Sequence, residues 1–308
     1  MQLQIAPQLS IKLKKRGLCV ESYAAPVIPV DLVNKVADFY RYIFNNNGNY
    51  LVFPSTLEFM SPAEVFEKSE GEIVELAKMD SLTEFPVHPK TGEQAVFWHD
   101  RDTTLSRIRT KLNQDSHLAI LRDLETGSIE GLCFGNRTTV RQQFESEGWK
   151  NPLYYTDRYI REHTRELDTL LKKVRATMQE HSAQFGNCII SGDDVIYSWN
   201  CLSTSPKARG IENLLALTSQ FFASIPEPIK KQLLVISETR FQSTSHNLLT
   251  VAGYLDAPGI LLEKQTLQKN VDSLIVMASL STVAHNFTLS PREFRQLARK
   301  KKMSELNV

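Results

Sequence analysis

The stretch LSTSPKARG at residues 202–210 decides how this chain is read. Before it, VIYSWNCL at 195–202 is rich in β-branched and aromatic residues, the composition of a strand. Ser205-Pro206 breaks that run, and Arg209-Gly210 opens into 211–225, which predicts a helix. A strand thus turns on a proline straight into a helix.

Working downstream, strand character returns at 233–237, helix at 244–252 and strand at 273–279. Upstream, 117–121 and 129–134 read as two strands around Glu125-Thr126-Gly127-Ser128, a hairpin signal. AVFWH at 95–99 reads as a further strand, and TLSRIRTKL at 104–112 as a helix with Leu105, Ile108 and Leu112 inward. Between Thr139 and Gln184 the chain is aromatic and charged, with a helical pattern over 159–178, and is read as a helical insertion. Closer to the start, DLVNKVADFYRYIF at 31–44 spaces Leu32, Val36, Phe39, Tyr40 and Ile43 by three and four behind a capping Asp31. Ser61-Pro62-Ala63-Glu64 is a second helix start, and PVHPKTG at 86–92 is the best boundary in the chain. The expected organisation is a small helical module at 1–90, a main domain at 91–285 with the insertion at about 139–185, and a basic helix at 286–308.

Composition bounds the function. Hydrophobic residues make up 42% and charged residues 23% of the 308, as in globular chains. The formal net charge of +1 gives no global field toward nucleic acid or anionic lipid, so neither is an expected partner. The run Arg299-Lys300-Lys301-Lys302 is a local exception and reads as a solvated helix end. The four cysteines, Cys19, Cys133, Cys188 and Cys201, form no Cys-x-x-Cys pair, which speaks for a reducing compartment and against zinc. The histidines show no metal-ligand spacing, and no metal is expected. No secretory signal and no run of about 18 apolar residues is present, so the expectation is a cytoplasmic protein without a membrane span.

The order of elements over 94–280, with three local features, resembles the GNAT superfamily of N-acyltransferases. The features are the loop at 202–210, the strand LLVIS at 233–237 followed by a helix, and Ala252-Gly253-Tyr254 after that helix. The resemblance implies an α/β (α+β) fold, a mixed and largely antiparallel sheet flanked by helices. It also implies acetyl-CoA or another acyl-CoA as co-substrate and an amine as acceptor. Its pyrophosphate would lie on the backbone of the loop, against Leu202, Ser203, Thr204, Lys207, Arg209, Gly210 and Ile211, where unpaired amides and the helix dipole favour an anion. Oxyanion donors would come from backbone N–H groups around Cys201 to Ser203.

Two positions depart from the family pattern. Glu212 and Leu214 stand where the loop usually has glycine or alanine, and a carboxylate beside a pyrophosphate is repulsive unless it points away. Leu249 stands where many members carry an acid tyrosine, with Tyr254 as the substitute. Glu238 is the candidate base and Glu130 a weaker second; Cys201 reads as a small buried hydrophobe rather than a nucleophile. Two functions follow: an N-acyltransferase working by direct attack of a primary amine on an acyl-CoA, or a non-catalytic protein of the same fold that binds a macromolecular partner.

Overall fold

The computed structural model describes residues 7–46, 50–56, 58–69, 72–112, 115–145, 167–185, 190–232, 234–240, 244–264 and 271–305. In chain order the first part comprises α1 (Pro7–Lys15), β1 (Leu18–Ala24), α2 (Val30–Asn46), β2 (Leu51–Phe53), β3 (Glu58–Met60), α3 (Pro62–Val65), α4 (Leu76–Asp80), β4 (Val96–Phe97), α5 (Arg101–Lys111), β5 (Ser116–Asp123), β6 (Ile129–Thr139) and α6 (Val140–Glu145). The second comprises α7 (Leu167–Glu180), α8 (Ser182–Phe185), β7 (Val195–Thr204), α9 (Ile211–Ser224), α10 (Glu227–Gln232), β8 (Leu234–Arg240), α11 (Thr244–Val251), β9 (Leu255–Lys264), β10 (Val271–Ser279), α12 (Leu280–Thr288) and α13 (Pro291–Glu305).

Seven strands form one sheet in the order β1-β5-β6-β7-β8-β10-β9. Every neighbouring pair is antiparallel except β7 and β8, which run parallel. A parallel pair needs a crossover, and α9 supplies it. The result is a mixed, largely antiparallel sheet flanked by helices, the α/β architecture expected from the sequence.

Alternation along the strands sorts the core into two faces. Ala119, Leu121, Cys133, Tyr197, Trp199, Val235 and Ala278 face one way, under α9 and α12, with Leu13 of α1 and Phe294 of α13 completing the layer. Leu118, Ile120, Leu132, Phe134 and Cys201 face the other way, under α2 and α5. Beyond them Ile196, Ile236 and Met277 lie under α7. The helix α9 is buried along most of its length, which is why its sequence is apolar on nearly every side.

Several expectations are corrected. One edge strand of the sheet is β1, paired with β5 from Leu18↔Asp123 to Ala24↔His117, and a two-point bond from Arg122 to Glu21 fastens it. The sheet therefore begins far upstream of residue 91. Likewise α2 packs on this sheet, so the segment expected as a separate module at 1–90 is split between the sheet and a smaller unit. That unit is the three-stranded sheet β3-β2-β4 with its own core of Tyr50, Leu51, Phe53, Val74, Met79 and Ala95. The strand expected at 95–99 is the short β4 of this small sheet, because its partner is β2. Arg41 of α2, 2% exposed, ties the two parts together by bonding Asp80 and the His99 carbonyl. At Ser61 the capping box is complete. Of the insertion, α6, α7 and α8 are helical, and 146–166 lies outside the described residues. The C-terminal helix is docked through Phe294, 3% exposed.

Candidate functional site

β7 and β8 stay together for only two residue pairs, Tyr197↔Val235 and Ser198↔Ile236. Past that point β7 keeps its partner β6 and β8 keeps β10, while the ladder between them ends. A gap therefore opens in the middle of the sheet toward the C-terminal ends of both strands. At its apex the Ser237 hydroxyl donates to the Trp199 carbonyl at 3.1 Å and ties the two strands together one residue past their last pair.

A β-bulge lies at the same level. Phe134 faces Cys201 and Gly135 faces Trp199, so Asn200 is an extra residue on β7. The bulge shifts the alternation: Tyr197 and Trp199 point toward α9, while Cys201 points toward α2. Asn200 is held by the Ser198 hydroxyl at 3.0 Å and by its own donation to Asn136 at 2.6 Å. Gly135 is required here, since a Cβ would lie 2.6 Å from the Ser198 carbonyl and 2.7 Å from the Tyr197 ring.

The open end of β7 runs into the loop at 205–210. Ser205 caps the one-turn 3-10 helix Pro206–Ala208, its oxygen accepting from the Ala208 N–H at 3.3 Å. Its hydroxyl also donates to Glu130, whose other carboxylate oxygen accepts from Ser128 at 2.9 Å. Glu130 is 8% exposed and braces the loop, so its role is structural rather than that of a base. Asn213 Nδ2 donates to the Ala208 carbonyl at 2.9 Å and fixes the loop to α9. Gly210 is the N-cap of α9 at φ 146°, a conformation that L side chains rarely adopt, and no side chain caps the helix. The first N–H groups of α9 thus have neither an intrahelical nor a capping acceptor.

Lys207, Arg209 and Gly210 are exposed, Ser203, Thr204 and Ile211 half-buried, and Leu202 packs on the α9-side core. These seven residues lie along one continuous path from the gap to the helix start. Leu214 also turns into that core. Glu212 is held from outside the loop: Lys12 lies 2.7 Å and Arg16 3.3 Å from its carboxylate oxygens. The Lys12 hydrogen bond, ahead of the charges of Arg16 and Arg295, pulls its pKa below the usual carboxylate range. An uncapped helix start with its one carboxylate already paired to two cations fits a phosphate-bearing ligand.

The two residues expected to do chemistry fare differently. Tyr254 is 1% exposed, its ring stacks 6.1 Å from that of Trp199, and its hydroxyl has no partner. Burial pushes that phenol well above its ordinary pKa. The expected acid is thus a phenol enclosed among the core rings. Glu238 sits on β8 opposite Ile275, two residues past the last pair with β7, and its side chain lies outside the described residues. Leu249 is a core residue, and Cys201 is a buried thiol pushed up to about 12 by burial. Among the described residues no group of three or more His, Cys, Asp or Glu could hold a metal ion.

The sequence reading missed Asn136, Ser198, Asn200 and Ser237. Their only signal was polarity inside strands that are otherwise apolar, as in YSWNC at 197–201.

No protein-family model and no curated protein matches the chain. The chain is similar to a solved structure of a mosquito arylalkylamine N-acetyltransferase like 5b (11% identity, TM-score 0.38, covering 84% of this chain and 99% of that one). Arylalkylamine N-acetyltransferase 2 from Aedes aegypti is similar at 12% identity and a TM-score of 0.41, over 85% of this chain and 99% of that one. The C-terminal condensation domain of Ebony, in complex with β-alanyl-dopamine, is similar at 10% and 0.42, over 84% and 98%. No helix among the described residues is long and apolar enough to cross a membrane.

Proposed function

We propose that this protein is an acyl-CoA-dependent N-acyltransferase that acts on a primary amine by direct attack. One observation carries the reading: the parallel pair β7–β8 parts after two residue pairs, and β7 then runs straight into an uncapped helix start. An extended thioester fits such a gap, with its phosphates at the α9 amides beside Lys207 and Arg209. The edge of β7 that has lost β8 offers N–H groups around Asn200 to Ser203 to a developing oxyanion.

The neutral amine nitrogen attacks the thioester carbonyl carbon; as the N–C bond forms, the carbonyl electron pair moves to oxygen, and its return breaks the C–S bond and leaves an electron pair on sulfur. The proton lost by nitrogen goes to Glu238, directly or through water. A thiolate is a tolerable leaving group near neutral pH, so no tyrosine acid is needed. A reducing, cytoplasmic setting suits the free thiols Cys19, Cys133 and Cys201.

Calorimetric titration with acetyl-CoA and CoA tests this reading. Micromolar binding that weakens about tenfold in Arg209→Ala is expected. Absence of binding at millimolar ligand overturns it and leaves the fold to a non-catalytic, partner-binding role. Once binding is established, Glu238→Gln is expected to abolish turnover at unchanged affinity.

A further inference from the structure

The place where β7 and β8 meet bounds the depth of the gap between them. The bulge at Asn200 is two residues from the closed ladder at Ser198↔Ile236, a strand length of roughly 7 Å at about 3.3 Å per residue. Half of that length is already used. The Trp199 carbonyl lies inside it and is bonded by the Ser237 hydroxyl, and Ser237 itself is 7% exposed.

Neither face of the sheet offers a way around. On the α9 side Trp199, 4% exposed, is hemmed in by Phe222 at 5.3 Å, Phe287 at 5.5 Å, Tyr254 at 6.1 Å and Phe221 at 6.3 Å between ring centroids. Interiors packed in this way do not yield space for added methylenes without strain. On the other side the bonds among Ser198, Asn200 and Asn136 close the sheet surface.

Resting on the acyl-CoA reading above, we propose that the site takes short acyl groups of roughly two or three carbons, and that Ser237 is the residue that sets this limit. Ser237 acts by closing the gap across to the Trp199 carbonyl, so it is a specificity-determining residue and not a catalytic one. A longer chain has to displace either that hydroxyl or the Trp199 ring.

The test is the dissociation constant of acetyl-, propionyl- and hexanoyl-CoA for the full chain, by calorimetry, in the wild type, Ser237→Ala and Ser237→Thr. In the wild type hexanoyl-CoA is expected to bind about tenfold or more weaker than acetyl-CoA. Ser237→Ala should narrow that ratio several-fold, whereas Ser237→Thr, which keeps the hydroxyl and adds a methyl, should widen the ratio of propionyl- to acetyl-CoA. Equal binding of all three thioesters to the wild type overturns the inference and leaves the acyltransferase reading standing. So does a Ser237→Ala that weakens every thioester alike, because general damage to the fold does not change a ratio. Binding of none of them overturns the acyl-CoA reading, and this inference with it.

Discussion

Gly135 and His117 show how single residues hold the site, and a second buried histidine, His99, lies at the joint with the small sheet. At Gly135 the close neighbours are a carbonyl and an aromatic ring locked between strands, so neither can retreat. Gly135→Ala is expected to cost about 1–3 kcal/mol, read as a lower urea midpoint at unchanged slope. His117 lies 3.0 Å from the Tyr197 hydroxyl, which donates to the Gly135 carbonyl, and burial pulls its pKa down to about 4. His99 is pulled down to about 3, by burial first and then by Arg107 and Arg41. In the unfolded chain both titrate near 6.5. Between about pH 6.5 and pH 4 the unfolded state therefore binds more protons than the folded one, and stability rises with pH. The contribution is complete above about pH 6.5 and is lost on acidification, at about 1.4 kcal/mol per pH unit for each histidine. Urea denaturation at pH 7.5 and pH 5 checks this, and His117→Gln should flatten the dependence. A stability that does not fall between these two pH values would refute it.

At the scale of elements, the question raised by Glu212 is answered by α1. Leu13, 3% exposed, docks α1 on the α9-side core, and this places Lys12 and Arg16 over the first turn of α9. Exposed ion pairs of this kind add at most about 1 kcal/mol to stability; their weight is in the local field. The double variant Lys12→Ala/Arg16→Ala is expected to melt near the wild-type temperature yet bind acetyl-CoA about tenfold more weakly. Adding Glu212→Gln should restore most of the affinity. If the double variant binds as well as the wild type, α1 has no part in the site. None of this was legible in the sequence, where Lys12 and Glu212 stand 200 residues apart. Glu212 alone read as a defect in an anion loop, and only its partners show it neutralised.

Across the whole molecule, β1 and α2 belong to the main sheet although they precede the small β3-β2-β4 unit in the chain. The fragment 91–285 removes the strand paired with β5 and uncovers Leu118, Ile120, Leu132 and Phe134, all 2% exposed or less. That fragment is expected to lack a cooperative melt, while the full chain shows one by near-ultraviolet dichroism; a folded fragment would restore the boundary near residue 90. What the sequence determined by itself was local: the strand, turn and helix at 195–225, the capping box at Ser61, the hairpin at 117–134 and the order of elements behind the acyltransferase resemblance. Periodicity and turn chemistry act over a few residues, so they are written in the chain. The tertiary structure alone decided the membership of β1 in the sheet, the bulge at Asn200, the bracing of the loop by Glu130, the burial of Tyr254 and the pairing of Glu212. Each of these depends on which distant segment packs alongside, and that is set by the burial of the whole core rather than by any stretch of sequence.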